Sequence, residues 1–515
     1  MNNNPYTYNR PSVAPMTPPP TMPMRQKMMK GVRRVQDVFP RWLSLYSIVV
    51  YILALMLVSF MYSAYSLPWY YMLSGVIAVL VFFLYGGYAT KTLSLDRVRK
   101  EKTFEKKIFF IALVPRVVFM LLLYWLFTEN YQEAFGFEAG DAWYYHILGE
   151  FVSEQIGKGD FHFYEAIPKW NGGRDDISDM GYGIYMGFVY WMTGNSIIVV
   201  RLLKCLWSSI TVLLVYRIAK RNFGEKTARV AAIFCALWPN FWYYCAVHLK
   251  ETEMVFLGVL FVEQADQMLR SRQFTAWKIL PILLIVAAIF TVRTPLAIVA
   301  LLSLAFSVVM SSSRVVTWGK RIIIGLLAVV LIGVVAGDQL EEQASNLIEQ
   351  AQSDSQKENM EWRARRDNGN VFAKYAGKSV FAPLIFTIPF PSMVRPFDGQ
   401  DVLQIVNGGN FVKNIMSCFT IFAMVMLLIS GQWREHLLPL SFMLGYLAVL
   451  VMSTFAQSER FHQPATPFEF MFAAYGLSIA VTKKKYKRWF TYWCILMFVA
   501  CIAWNWFKMA GRGLA

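Results

Sequence analysis

Charge is scarce in this chain. Only 16% of its 515 residues are Asp, Glu, Lys or Arg, against about a quarter in an ordinary soluble domain. What fills the gap is apolar: 56% of residues are hydrophobic and the mean hydropathy is +0.40. Repeated apolar runs of roughly 20 residues have the length that crosses a bilayer, so the chain reads as an all-α polytopic membrane protein. Cysteine is also sparse. All six (Cys205, Cys235, Cys245, Cys418, Cys494, Cys501) lie inside apolar runs and no CxxC occurs, which excludes a loop-stapling disulfide framework and a thiolate metal site. No Gly-x-Gly-x-x-Gly opens a helix after a strand, so a nucleotide-sugar fold of the Rossmann kind is excluded. No cleavable signal peptide is visible: the first forty residues are polar, Pro-rich and then basic. The first apolar run is therefore expected to serve as its own uncleaved insertion signal.

The net charge of +17 does not point to nucleic acid. Lys and Arg cluster in short loops between apolar runs, as the positive-inside rule expects of a membrane protein. Read this way, 1–40 is a disordered cytoplasmic N-terminus held inside by Arg25, Lys27, Lys30, Arg33 and Arg34. Two transmembrane helices and a strongly basic cytoplasmic loop occupy 41–107. A core of spans follows over 108–337 and includes an external loop, 129–195. A second external segment covers 338–408, and the C-terminal helices cover 409–515.

The orientation hinges on Tyr182–Thr193, an apolar stretch of about a dozen residues. If it crossed the membrane, four basic segments (220–229, 270–278, 314–321 and 483–488) would face outward. If it lies in the interface, all four face inward. The second arrangement satisfies the rule throughout, so 182–193 is expected as an interfacial or re-entrant helix, rich in aromatics. About thirteen spans result, near 45–65, 69–89, 108–127, 196–219, 229–247, 252–269, 279–292, 295–311, 321–337, 409–429, 436–455, 467–481 and 488–507. In the second external segment, 338–367 reads as a polar amphipathic helix or pair of helices. The apolar stretch from Phe381 to Gly399 is broken by Pro383, Pro389, Pro391 and Pro396 and is expected to pack on the external face.

That topology gathers a short list of polar residues outside. The first loop carries Glu138-Ala-Gly-Asp141-Ala-Trp-Tyr-Tyr-His146, an acid pair beside aromatics. His248, Lys250 and Glu251 lie between two spans, Arg293 lies in another turn, and Glu459, Arg460 and His462 lie before a late span. Arg116 sits within a span, one residue after Pro115. Ionisable groups at membrane depth are functional candidates by default. A carboxylate can take a proton from an attacking hydroxyl, and cations can hold an anionic leaving group. A substrate half in the membrane and ending in phosphate needs that set. Structural roles compete: Arg116 and Arg293 can snorkel or pair with acids, Lys250-Glu251 can cap a helix, and Asp141 can be the N-cap of the helix that follows it. The external histidines could hold a divalent metal with Glu138 or Asp141, but no HxxxH or HExxH spacing supports this. No cofactor is required.

The order of these features resembles the integral-membrane GT-C glycosyltransferases, most closely the family 39 branch of protein mannosyltransferases and aminoarabinose transferases. The corresponding positions are Arg116, Asp141, Tyr182–Thr193 with Gly194, Arg201-Leu202, Lys220-Arg221-Asn-Phe-Gly224, Pro239 and Glu251, and then the late "ERFHQPATPFEFMF". The likeness covers about 108–270 and 455–480. Two spans precede the usual first one here, and Asp141 is followed by Ala142 where the family commonly has a second acid. The resemblance implies inverting transfer of a sugar from a polyprenyl-phosphate donor to a hydroxyl acceptor (protein, lipid or glycan) on the outer face of a bacterial-type inner membrane. It implies Asp141 as general base, with Glu251 and Glu138 assisting. Lys250, Arg293 and Arg460 would hold the phosphate, with His462, His146, Arg116 and Tyr182 contributing to substrate binding. Acceptor choice is expected in 338–408, since loops carry specificity. A transporter or flippase for lipid-linked sugars would need the cations but not the acid, and would predict an internal repeat that is not evident. An O-antigen-type polymerase or ligase is the enzyme alternative, relying on external Arg-rich loops.

Overall fold

The computed structural model describes residues 39–131, 134–136, 140–162, 180–271, 276–310, 321, 325, 383–395, 404–452, 456, 458–482 and 485–510, all within the unit Val38–Ala515. Glu138, the expected disordered N-terminus up to Val38, most of the segment 338–408 and, but for two positions, the expected span 321–337 lie outside them.

Helices α1 (Arg41–Met61) and α2 (Trp69–Thr92, with a π-helical turn at Val81–Tyr85) form a hairpin, followed by α3 (Glu101–Tyr131). Then come α4 (Gly140–Gly157), α5 (Met180–Thr193), α6 (Ile197–Phe223), α7 (Glu225–Leu237), α8 (Pro239–Ala246) and α9 (Glu251–Arg270). The remainder is α10 (Ile279–Val292), α11 (Thr294–Met310), α12 (Gln404–Ser430), α13 (Leu437–Met452), the single turn α14 (Glu459–His462), α15 (Thr466–Ala480) and α16 (Lys485–Ala510). Among the described residues, seven helices are long and apolar enough to cross a membrane: α1, α2, α3, α6, α12, α13 with the turn before it, and α16. Helices α10 and α11 are apolar but shorter. The protein is an all-α polytopic membrane protein.

Charged residues separate the two ends of this bundle. At one end Arg221 of α6 pairs with Glu263 (3.2 Å) and Asp266 (2.6 Å) of α9, and Arg217 pairs with Glu105 of α3 (2.9 Å). At the other end the start of α6 meets the end of α3: the guanidinium of Arg201 donates to the Ala134 carbonyl. The chain between them, which contains α4 and α5, therefore leaves and re-enters the bundle at the same end. Helix α5 ends on Gly194 at φ +66°, a left-handed value that suits a residue without Cβ. It lies close against α4 because Gly183 and Gly187 face that helix. A Cβ at Gly183 would run into Leu148, and one at Gly187 into Val152.

Two expectations need correction. The span over 229–247 is not continuous: α7 stops at Leu237 and α8 restarts at Pro239. Proline has no N–H for the Cys235 carbonyl, one turn back. Arg116 supplies the missing donors, its Nη2 to Cys235 O (3.0 Å) and its Nη1 to Ala236 O (3.0 Å). The Arg116 Nε donates to Ser208 Oγ (2.9 Å), and the residue is fully buried. Its contacts make it a clamp across a helix break.

The second correction concerns the Pro-broken stretch, which is set into the core instead of lying on a face. Ile385, Ile388, Phe390, Met393 and Val394 are buried. Its carbonyls, which no regular element can pair, are met by side chains. Lys413 donates to Ile388 O (2.9 Å), Asn414 to Pro389 O (2.9 Å) and Asn505 to Pro391 O (3.1 Å). The first hairpin buttresses it: the N–H of Arg395 donates to Tyr65 O (2.8 Å), and Tyr51 lies against Phe411 of α12 with ring centroids 5.0 Å apart.

Arg116→Lys keeps the charge but cannot reach all of these acceptors. It should lower stability by about 2 kcal/mol or more, since buried carbonyls lose charged donors. Thermal unfolding of the purified protein in detergent reads this directly; an unchanged midpoint would remove the clamp from the account.

Candidate active site

Three segments far apart in sequence meet at the end of the bundle where α6 begins. Asp141 lies in the first turn of α4, which starts at Gly140, so it is inside the helix and not at its N-cap. Glu251 opens α9, and Arg460 lies in the single turn α14 before α15. In a carboxylate-bearing first turn the exposed helix N–H groups favour negative charge, which suits both acids.

Arg460 lies between the two acids. Its Nε donates to Glu251 Oε1 and its Nη1 to Asp141 Oδ2. Exposure falls steeply along this row: 62% for the Asp141 side chain, 20% for Arg460 and 1% for Glu251. The other oxygen of Glu251, Oε2, is buried without a hydrogen-bond partner. Burial works against the Arg460 charge, but Glu251 and Asp141 outweigh it and hold its pKa above the ordinary arginine value. Lys250 is buried beside them and donates to the Val292 carbonyl at 3.1 Å. Burial, reinforced by Arg293, pushes its ammonium down to about 7, with Glu251 pulling the other way. The Arg293 guanidinium lies 5.1 Å from the Phe461 ring centroid, and Arg460 lies 5.5 Å from the same ring. Two acids and three basic side chains thus share one mouth, with a half-exposed carboxylate at its rim.

The other candidates read from the sequence stand around this mouth rather than in it. Tyr182 is buried, with Lys204 Nζ donating to its hydroxyl at 3.4 Å. His462 is buried and accepts from Lys413 at Nδ1 (2.8 Å), while its Nε2 faces the Ala456 carbonyl (2.8 Å). His146 is held by Tyr190 (2.8 Å) and lies 3.4 Å from Glu150. Among the described residues no three His, Cys, Asp or Glu side chains meet as a metal-binding group.

Sequence reading passed over a buried pair next to the mouth. Lys204 and Glu253 form an ion pair at 3.0 Å, and Lys204 also donates to the Leu249 carbonyl. A signal was present: Arg201 and Lys204 are three apart, hence on one helix face, in an otherwise apolar run. Glu253 is two residues from Glu251. A second buried pair, Lys413 with Glu469 at 3.5 Å, lies on α12 and α15.

A carboxylate–guanidinium–carboxylate row at one end of a helical bundle, with further basic side chains beside it, has the chemistry to pair with an anionic or phosphorylated group. Residues 182–336 match the family model described as dolichyl-phosphate-mannose-protein mannosyltransferase. The match supports a membrane glycosyltransferase of the mannosyltransferase type, and makes this stretch similar to enzymes that use lipid-linked sugars. It takes in Lys250, Glu251 and Arg293 but neither Asp141 nor Arg460, and it does not bear on the aminoarabinose-transferase branch. No curated protein and no solved structure matches the chain.

Arg460→Met would leave Glu251 a buried carboxylate without its counter-ion. A loss of about 3 kcal/mol is expected, and adding Glu251→Leu should restore most of it. A double-mutant cycle on thermal unfolding checks the coupling. Lys250 gives a pH signature. Between about 7 and 10.5 the unfolded chain holds a proton on this amine that the folded protein does not, so stability rises with pH across that window. Lys250→Met should remove that rise, worth up to about 1.4 kcal/mol per pH unit. Parallel melting curves of parent and variant from pH 7 to 10 would show that the amine keeps its proton.

Proposed function

We propose that the protein transfers a sugar from a polyprenyl-phosphate donor to a hydroxyl acceptor, with inversion, at the extracytoplasmic face of a plasma membrane. The observation that carries this reading is the row Asp141–Arg460–Glu251 in the mouth that also holds Lys250 and Arg293. Asp141, the exposed acid, is the general base. As the acceptor oxygen forms its bond to the anomeric carbon, its proton passes to the Asp141 carboxylate. The bond from that carbon to the phosphate oxygen breaks, and the polyprenyl phosphate leaves with the electron pair. Inversion requires base and leaving group on opposite sides of the carbon, and the base on α4 and the basic side chains of the α9 and α14 turns come from separate segments that can take those two positions.

Arg460 has a double duty in this scheme. Without donor it pairs with both acids. A donor phosphate competes for the guanidinium, as phosphate and carboxylate are both matched to its planar donors. Moving Arg460 toward phosphate frees Asp141 to act as base. Arg293 adds charge to the same pocket and Lys250 a hydrogen-bond donor, and Glu251 holds Arg460 in register from below.

The experiment is donor binding and turnover of a panel of polyprenyl-phosphate sugars by the purified protein, parent beside Asp141→Asn. Binding should persist in the variant while transfer falls by about 10²-fold or more, the usual worth of a positioned base. Untouched transfer would exclude Asp141 from the chemical step. A parent that binds no donor would overturn the glycosyltransferase reading and favour a carrier of lipid-linked sugars.

A further inference from the structure

A string of hydrogen bonds runs from the bundle interior to the surface beside the candidate site. Arg201 Nε donates to His248 Nδ1 (3.4 Å), His248 Nε2 meets the Tyr190 hydroxyl (2.9 Å), and that hydroxyl meets His146 Nδ1 (2.8 Å). His146 Nε2 faces Glu150 at 3.4 Å. The direction of every link follows from the ends. A guanidinium can only donate, so His248 Nδ1 accepts and its proton sits on Nε2. That N–H donates to the Tyr190 oxygen, and the single Tyr190 proton goes to His146 Nδ1. His146 then carries its proton on Nε2, toward a carboxylate that can only accept. Both imidazoles are neutral in this pattern. In keeping with it, burial first, and then Arg201, Lys204 and His146, push the His248 pKa well below the ordinary histidine value. Burial also lowers that of His146, with Glu150 opposing and Arg201 adding to the fall.

The string joins elements that the chemistry needs in register. His146 is on α4, five residues after Asp141. His248 is in the turn before α9, three residues ahead of Glu251. Tyr190, fully buried on α5, is the link between them. We infer that Tyr190 and His248, backed by Arg201, are positioning residues that set the first turn of α4, and with it Asp141, against the turn that carries Glu251. The inference rests on the proposed role of Asp141 but concerns geometry that exists without substrate. Proton transfer through the string is not part of it, since Asp141 is exposed and exchanges with water directly.

Two measurements on full-length protein test it. Tyr190→Phe removes one oxygen and keeps the ring. With the donor KM within about twofold, kcat should fall about tenfold, because a displaced base loses rate more than binding. In the Asp141→Asn background the same change should cost nothing further, since it acts through Asp141. His146→Asn, which can offer an acceptor in place of Nδ1, should retain more kcat than His146→Leu. Independently of any substrate, hydrogen exchange at residues 141–146 should rise about tenfold in Tyr190→Phe, with little change at the far end of the bundle. Unchanged exchange there overturns the inference, as does a kcat loss that multiplies fully with that of Asp141→Asn. Raised exchange in Tyr190→Phe, with a parent that transfers no sugar, would leave the inference standing and overturn the functional reading alone.

Discussion

Charge inside a low-dielectric bundle must be matched side chain by side chain, because water is not there to do it. The pairing of Arg460 with Glu251 and Asp141 is the point at which this constraint decides the rest. Glu251 is almost fully buried and Asp141 mostly exposed. One guanidinium therefore joins the interior to the rim. The first turn of α4, the opening of α9 and the turn α14 have to converge for that contact to exist. The same demand explains Arg116 at the Trp238 break and Lys413 and Asn414 on the Pro-broken stretch. In each case a polar group that could find no partner in regular secondary structure is met by a side chain from another helix.

Much of this organisation could be read from residue order. The apolar runs and the placing of Lys and Arg predicted a helical membrane bundle, and the positive-inside count treated 182–193 as a helix that does not cross. The structure brings the chain between α3 and α6 back to the end it left. Asp141, Glu251, Lys250, Arg293 and Arg460 were singled out one at a time, because charged residues in apolar surroundings are conspicuous. Their pairing was not visible. Nothing local in a sequence says that a guanidinium lies between two acids hundreds of residues away, so Arg460 was expected to hold phosphate and not to bridge carboxylates.

Other residues have partners that residue order does not reveal. Arg116 looked functional because it is an ion at membrane depth. Pro239, whose missing N–H creates the need that Arg116 meets, was noted only as a position in a pattern. His462 and His146 were grouped as external histidines, yet one is bound to Lys413 beneath the mouth and the other belongs to the string through Tyr190. Lys204 and Glu253 went unremarked because a buried pair looks in sequence like two unrelated surface charges. Periodicity locates faces of helices; it does not say which faces meet.

The acid row also has a temporal side. Arg460 lies 319 residues after Asp141 and 209 after Glu251. During synthesis both acids leave the ribosome long before their shared cation exists. Until α14 arrives, Glu251 has no Arg460 guanidinium to pair with, and the helices around it have reason to stay apart. Maturation of this centre is thus tied to insertion of the last helices, so a chain interrupted before them holds the acids without the bridge.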